Sequence, residues 1–341
     1  MTEILGKVLV TGGFGFLGQH LMHLLLEENK TKQLDRDIIV LDLNENKSMY
    51  QYDFESIEVK LITDVDISSP GDIDHFFKDV ETVFHLAALI RYGRRNRDML
   101  DRINILGTQE VIQACRKNKV KNLIHIGSIA VVGYDKKGIT LGTEESKINW
   151  EKDSSSYYGY SKKKSVDLVL QCAVDDLRVV VAHPGIMLGP GDLKSLPLYQ
   201  IGKYRISAAP GGGTNFIDVR DVARGLISLQ YLGEPGSEYL LTSHNRTHKE
   251  LFKLIAKHFG KKSYVAQIHS FVGIIISPIV GLLEFVMPKS SMLSKEGTVK
   301  AFHKRFFSNE KAKKELGWRP EYSLEQTIEE AVVWLESEGK L

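Results

Sequence analysis

Two tyrosine and lysine pairs share one short stretch. In SYYGYSKKKS, residues 156–165, Tyr158 is followed by Lys162 and Tyr160 by Lys164. Four residues make one helical turn, so each pair stacks on one side of a helix. From Lys162 that side continues into Val166, Val169 and Ala173, whereas from Lys164 it continues into Asp167, Gln171 and Asp175. Only Tyr158 and Lys162 therefore face an interior. A phenol beside an ammonium exchanges a proton nearer neutral pH, because the positive charge favours phenolate, and this suits general acid or base work. A lone match of this kind is more often a surface helix with snorkelling tyrosines, so a second element has to support it. Ser128 does so: it directly follows the apolar run Asn122–Gly127, where its hydroxyl can bind the same substrate oxygen as Tyr158.

A positioning frame stands at the start of the chain. Lys7 to Gly18 reads KVLVTGGFGFLG: an apolar run, then Gly12, Gly15 and Gly18, then helix-spaced Leu17, Leu21, Leu24 and Leu25. Such a strand, turn and helix start lets Gly12 turn the chain, Gly15 admit a pyrophosphate and Gly18 pack helix on strand, with the first helical amides turned to the anion. A second run, Ile38–Leu41, ends in Asp42, about twenty residues past the last glycine, where a carboxylate binds ribose hydroxyls. The stretch reads as a dinucleotide-binding unit.

Further runs at Val59–Thr63, Thr82–Leu86, Asn122–Gly127 and Arg178–Ala182 alternate with helical patterns. The expected fold is α/β, a Rossmann-type doubly wound parallel sheet with a smaller, mainly C-terminal substrate-binding domain. Residues 1–184 are expected to form the dinucleotide-binding domain, with a return segment near 214–232, and 185–341 to be mostly substrate-binding. Ligands of such sheets lie at the carboxyl ends of the strands, which directs attention to Asp64, His85 to Ala88, Ser128 and Pro184.

The chain of 341 residues is 43% hydrophobic with a formal net charge of +2, which makes nucleic acid a poor partner. Two cysteines, Cys115 and Cys172, and no room for a signal peptide before the first strand point to a cytoplasmic protein without disulfides. Eleven histidines do not group with acids or cysteines, so no metal is expected.

Several motifs together resemble the extended short-chain dehydrogenases/reductases, within the wider NAD-dependent epimerase and dehydratase group. They are TGGFGFLG at 11–18, HLAA at 85–88, NILGT at 104–108, GSIAVVG at 127–133, YGYSK at 158–162, HPGIMLGPGD at 183–192, NFIDVRDVARG at 215–225 and LGWRP at 316–320. The resemblance implies Ser128, Tyr158 and Lys162 as a catalytic triad with Asn104 in support, Lys162 also holding the nicotinamide ribose. It places Asp42 at the adenosine ribose, Asp64 and Val65 at the adenine, and Ala87 and Ala88 along the cofactor. Gly12, Gly15, Phe16, Leu17, Gly18, Leu86, Pro184 and Ile186 complete the expected cofactor contacts. The substrate contacts are Ile90, Arg91, Tyr92, Ser128 and Met187.

Two positions depart from the wider pattern. Gly127 stands where many relatives carry serine or threonine, and Ile186 stands where sugar-nucleotide enzymes carry an asparagine facing the nucleotide phosphates. The second departure makes the chain look more like the dihydroflavonol reductase and 3β-hydroxysteroid dehydrogenase branch. That likeness implies hydride transfer between NAD(H), favoured over NADP(H) because Asp42 repels a 2′-phosphate, and a secondary alcohol or ketone of moderately apolar character. A nucleotide-sugar epimerase or dehydratase is the alternative, and a non-catalytic dinucleotide-binding regulator the second one. Lys47 tempers the cofactor preference, and Arg205 and Arg220 could serve a sugar nucleotide. The partner is a small molecule, and a homodimer is compatible with the pattern. The run FVGIIISPIVGLLEFVM, 271–287, is interrupted by Pro278 and reads as a pair of short helices in the substrate domain, in preference to a membrane-surface contact.

Overall fold

A computed structural model describes residues 6–34, 36–43, 59–149, 156–173, 176–204, 206–260, 264–283 and 294–341. Lys47, Asp175, Arg205 and residues 284–287 lie outside the described residues. The six apolar runs become β1 (Lys7–Thr11), β2 (Ile38–Leu41), β3 (Val59–Ile62), β4 (Val80–His85), β5 (Asn122–Ile126) and β6 (Arg178–Pro184). Beyond them come β7 (Ile186–Leu188), β8 (Ile206–Pro210), β9 (Gly213–Asp218), β10 (Ser237–Leu241), β11 (His244–Thr247) and β12 (Tyr264–Ile268). The helices are α1 (Phe16–Lys32), α2 (Arg97–Leu100), α3 (Gly107–Lys117), α4 (Tyr157–Gln171), α5 (Leu196–Ile201) and α6 (Val219–Leu232). They continue with α7 (His248–His258), α8 (Ser270–Leu283), α9 (Lys295–Lys300), α10 (Glu310–Leu316) and α11 (Leu324–Ser337).

The main sheet has seven strands in the order β10-β6-β5-β4-β1-β2-β3, with every pairing parallel. The chain winds outward in both directions from β1 and β4, so their carboxyl ends flank the crevice where a doubly wound sheet takes its ligand. Alternation along the strands feeds two apolar layers. Val8, Val10, Ile124 and Val180 pack toward α1 and α6, while Leu9, Val83, Leu123 and Val181 pack toward α3 and α4. α6 lies directly against α1, and β10 pairs with β6 from Ser237↔Val180 to Leu241↔Pro184.

The remaining elements gather at the carboxyl side of the sheet. β7, β9 and β11 form a small mixed sheet whose apolar core is closed by α7 and α11 through Leu188, Phe216, Leu251, Ile255, Ile328 and Val332. β8 and β12 pair in parallel, and the chain then enters α8. Here the sequence reading needs correction. Pro278 does not split the apolar run into two short helices; α8 runs through it, with Gly273, Ser277 and Val280 buried and Pro278 on the exposed side. A proline removes one backbone donor and crowds the preceding turn of its own helix, a local cost that α8 absorbs as it continues through the ring.

Candidate active site

The glycine loop explains its own composition. Gly12 has φ +75°, and a side chain there would stand 2.8 Å from the backbone of Ala87; at Gly18 it would stand 2.4 Å from the Gly12 carbonyl oxygen. Neither position tolerates a Cβ. At Gly15, by contrast, an added Cβ would meet only the Gly12 carbonyl oxygen, at 3.1 Å, and Gly15 is also the residue that caps α1. The loop amides and first turn of α1, containing Phe16 and Leu17, thus face a space that suits a pyrophosphate. Asp42 lies beside it: one carboxylate oxygen accepts from Phe14 N at 3.0 Å and the other from Leu43 N at 2.8 Å. Asp64 follows β3 with φ 61°, a left-handed backbone that exposes its carboxyl, and Val65 N donates to the Asp42 carbonyl at 3.0 Å. These residues form one continuous cradle at the ends of β1, β2 and β3, and its donor set and shape fit a dinucleotide.

The reactive cluster sits across the crevice. Tyr158 and Lys162 on α4 are 7% and 2% exposed, whereas Tyr160 is 37% exposed. The Tyr158 ring meets the Tyr92 ring edge-on, with centroids 5.7 Å apart, and the Ser128 hydroxyl, which accepts from Ala130 N at 3.1 Å, is near enough to act on the phenol. Burial pushes the phenol well above its usual range, with Tyr92 acting in the same direction and the Ser128 hydroxyl opposing. Lys162 Nζ donates to the Ile126 carbonyl at 2.5 Å, and burial lowers its pKa to about 7. The expectation that Lys162 is what favours phenolate is therefore not met in this arrangement. The ammonium is directed at the end of β5, and Ser128 is the group that stabilises the ionised phenol.

Asn104 anchors the opposite wall. It is buried in a π-helical turn, Asp101–Leu106, of a kind frequent at functional sites. Its Oδ1 accepts from Leu89 N at 2.7 Å, while Nδ2 donates to the Leu89 carbonyl at 3.1 Å and to Ser161 Oγ at 3.0 Å. Ser161 in turn donates to the Tyr158 carbonyl at 2.8 Å. One side chain thus ties the segment Leu86, Ala87, Ala88, Leu89 and Ile90 to the helix bearing the reactive phenol. Ile90 and Ile186 are partly exposed, Met187 is half-buried, Pro184 is buried, and Arg91 lies close enough to Lys194 to lower its pKa after burial has done so.

Three residues to which the sequence reading gave no role in the site also act on it. Ser128 N donates to His183 Nδ1 at 3.1 Å, which leaves the proton on Nε2 to be given to Glu238 at 2.8 Å. This contact accounts for Gly127, since a side chain there would stand 2.3 Å from His183 Nδ1. The imidazole fills the space a serine or threonine would take and holds the next residue by its backbone. Residues 127, 183 and 238 come from three different strand ends, so no local spacing could have announced the contact. The third, Glu296 on α9, is buried and paired with Lys300 at 3.1 Å, and its charge acts on both Tyr92 and Tyr158. α9 therefore lies within electrostatic reach of the two tyrosines. Arg220 is not available to a ligand phosphate: Asp218 receives its Nε at 2.9 Å and Nη2 at 2.7 Å, Glu330 receives Nη1, and the guanidinium lies over the Tyr322 ring.

Below the cluster two further histidines pair across β4 and β5. His85 bridges the Thr11 and Thr108 hydroxyls at 2.8 and 3.1 Å, and its ring lies 5.1 Å from that of His125. Burial, with Lys162 acting in the same direction, lowers His85 to about 3 and His125 well below its usual range, so both are neutral packing groups.

Sheet, cradle and cluster together define a nicotinamide-dependent oxidoreductase of the extended short-chain dehydrogenase/reductase class. A model of the 3-beta hydroxysteroid dehydrogenase/isomerase family matches residues 9–209, and the chain belongs to that family. It is 27% identical over 350 residues to the mouse (Mus musculus) sterol-4-alpha-carboxylate 3-dehydrogenase, decarboxylating, with 96% of this chain and 90% of that one covered. It is 23% identical over 352 residues to a Synechocystis protein that carries a dihydroflavonol 4-reductase name, covering 97% and 94%. Among solved structures, gox2253 superposes with a TM-score of 0.79 at 23% identity, covering 98% of this chain and 99% of that one. The dTDP-glucose 4,6-dehydratase DesIV of Streptomyces venezuelae, with NAD and TYD bound, gives 0.75 at 20% identity, each chain covered to 97%. These two likenesses speak for the fold.

Proposed function

We propose that the chain interconverts a secondary alcohol and a ketone on a moderately apolar molecule, using NAD(H) in preference to NADP(H). The observation that carries this reading is the convergence of Ser128, after β5, with buried Tyr158 and Lys162 on one side of α4, where the Ser128 hydroxyl acts on the Tyr158 phenol. The dinucleotide, when bound, supplies or accepts the hydride. In reduction Tyr158 gives its proton to the carbonyl oxygen as charge develops there, and the Ser128 hydroxyl binds the same oxygen. A phenol pushed up by burial is fully protonated at neutral pH, which suits the donor role. In oxidation the same phenol receives the proton. In this reading Lys162 holds the nicotinamide ribose, and Asn104, bonded to both Leu89 and Ser161, ties the Leu86–Ile90 segment to α4.

Asp42 supports NAD(H), because its carboxylate accepts from ribose hydroxyls and repels a 2′-phosphate. Ile186, Met187, Ile90 and Tyr92 support an apolar substrate, and the engagement of Arg220 by Asp218 and Glu330 removes a cation that a sugar diphosphate would need. Calorimetric titration of the NAD-loaded protein with a ketosteroid and with UDP-glucose, alongside absorbance assays of NADH and NADPH with the ketosteroid, tests the reading. Saturable ketosteroid binding, with consumption of NADH and little of NADPH, is expected. Tight UDP-glucose binding with no response to any apolar ketone would replace it by the epimerase or dehydratase reading.

A further inference from the structure

The backbone bonds between β5 and β6 end one residue short of Ser128. Gly127 N donates to the Ala182 carbonyl at 2.7 Å, and the next amide, that of Ser128, is received by a side chain instead, His183 Nδ1 at 3.1 Å. The serine is held at a second point, since its Oγ accepts from Ala130 N at 3.1 Å. An oxygen that accepts there keeps its own proton for another acceptor, which in the reading above is the substrate oxygen. Where that hydroxyl lies therefore depends on an imidazole nitrogen from the neighbouring strand.

Such a nitrogen accepts only in one form of the ring. Neutral imidazole carries one proton, and Nδ1 is an acceptor only while that proton sits on Nε2. Glu238, on the adjacent strand β10, receives the Nε2 proton at 2.8 Å. Burial raises the Glu238 carboxyl, but the hydrogen bond from His183, joined by the charges of His183, Lys163 and Lys311, holds it below its usual range and so keeps it a carboxylate. The His183 side chain is 1% exposed and that of Glu238 31%, so the ring is closed off from bulk water with its two nitrogens engaged by these two partners.

We propose that His183 and Glu238 are positioning residues for the reaction: Glu238 fixes the imidazole tautomer, and the imidazole holds Ser128 where its hydroxyl binds the substrate oxygen. This rests on the role given to Ser128 above. The full chain is compared with its His183→Leu, His183→Asn and Glu238→Ala variants, by exchange of the Ser128 amide followed by NMR without cofactor or substrate, and by NADH-dependent reduction of a ketosteroid. Leucine keeps bulk without an acceptor, whereas asparagine Oδ1 can take the place of Nδ1. In His183→Leu the Ser128 amide should exchange faster and turnover should fall about tenfold with KM for NADH unchanged. His183→Asn should recover most of both losses, and Glu238→Ala should show a smaller change in the same direction. Equal exchange in the parent and His183→Leu would overturn the proposal, and so would equal losses in the leucine and asparagine variants, which would make His183 a packing group. If His183→Leu does not fold, Glu238→Ala decides, since its side chain is partly exposed, and exchange and turnover matching the parent would then be the overturning result. A parent inactive on every ketone would end the substrate reading alone, because the amide exchange is read without substrate.

Discussion

Tyr158 and Lys162 are buried on the inner side of α4, whereas Tyr160 and Lys164 lie on its outer side with the ammonium 5.5 Å from the ring centroid. Residue types and spacing are identical; the neighbours are not. Inside, the phenol meets Ser128 and Tyr92 and the ammonium meets a strand carbonyl. Outside, water screens the pair, and a solvated contact of that kind contributes little. A motif defined by spacing thus becomes chemistry only where the sheet beneath supplies a second hydroxyl and removes water.

The sharpest way to break the comparison is to remove the inner hydroxyl. Tyr158→Phe should lower turnover by about 10² to 10⁴ with NADH affinity nearly unchanged, because a proton donor is lost and the cradle is not. Steady-state rates alongside fluorescence titration of NADH decide this, and an unaltered rate would remove Tyr158 from the mechanism. Next in size is the support under Ser128. Gly127→Ser should destabilise by about 1 to 3 kcal/mol, since its side chain runs into His183. His183→Ala in the same chain should restore part of that loss, and denaturant melts of the two single variants and the double would expose simple additivity if the contact did not matter.

Lys162 offers a pH test. Its pKa is lowered from 10.5 to about 7, so between those values the unfolded chain holds a proton that the folded one does not. Stability then rises with pH across that window, and the cost of burying the ammonium is complete below about pH 7. Lys162→Met should therefore raise the melting temperature of the cofactor-free protein by a few degrees at about pH 6 and much less at about pH 10. A constant offset at both pH values would contradict the lowered pKa. The smallest effect belongs to the outer side: Tyr160→Phe with Lys164→Ala should change stability by no more than ~0.5 kcal/mol and leave turnover alone. If this pair proved the damaging one, the two sides of α4 would have been exchanged.

Much of this was legible in the sequence because the signals are local. β1, β2 and β5 are apolar runs bounded by turn residues, Gly12 to Gly18 are packed into one loop, and Tyr158 with Lys162 needs only a four-residue interval. What escaped is nonlocal or mixed in character. β10, SEYLL, begins with two polar residues and gives no clean run, yet it completes the sheet. His183 and Glu238 meet only because β6 and β10 are neighbours, and Glu296 reaches the cleft from the far end of the sequence. Pro278 misled for the opposite reason: the local rule states a cost within the helix and not a certain break, and α8 continues through it.

The position of β10 at the end of the sheet also bears on how the chain is made. During synthesis β6 emerges more than fifty residues before its partner, with Val179 and Val181 on one side and Val180 and Ala182 on the other. Until Ser237 to Leu241 arrive, that edge presents unpaired backbone flanked by valines on both faces, the arrangement that recruits foreign strands. A fragment ending at residue 184 would keep it open permanently. The stretch from Gly185 to Leu241 is therefore also the interval over which the nascent protein most needs a chaperone.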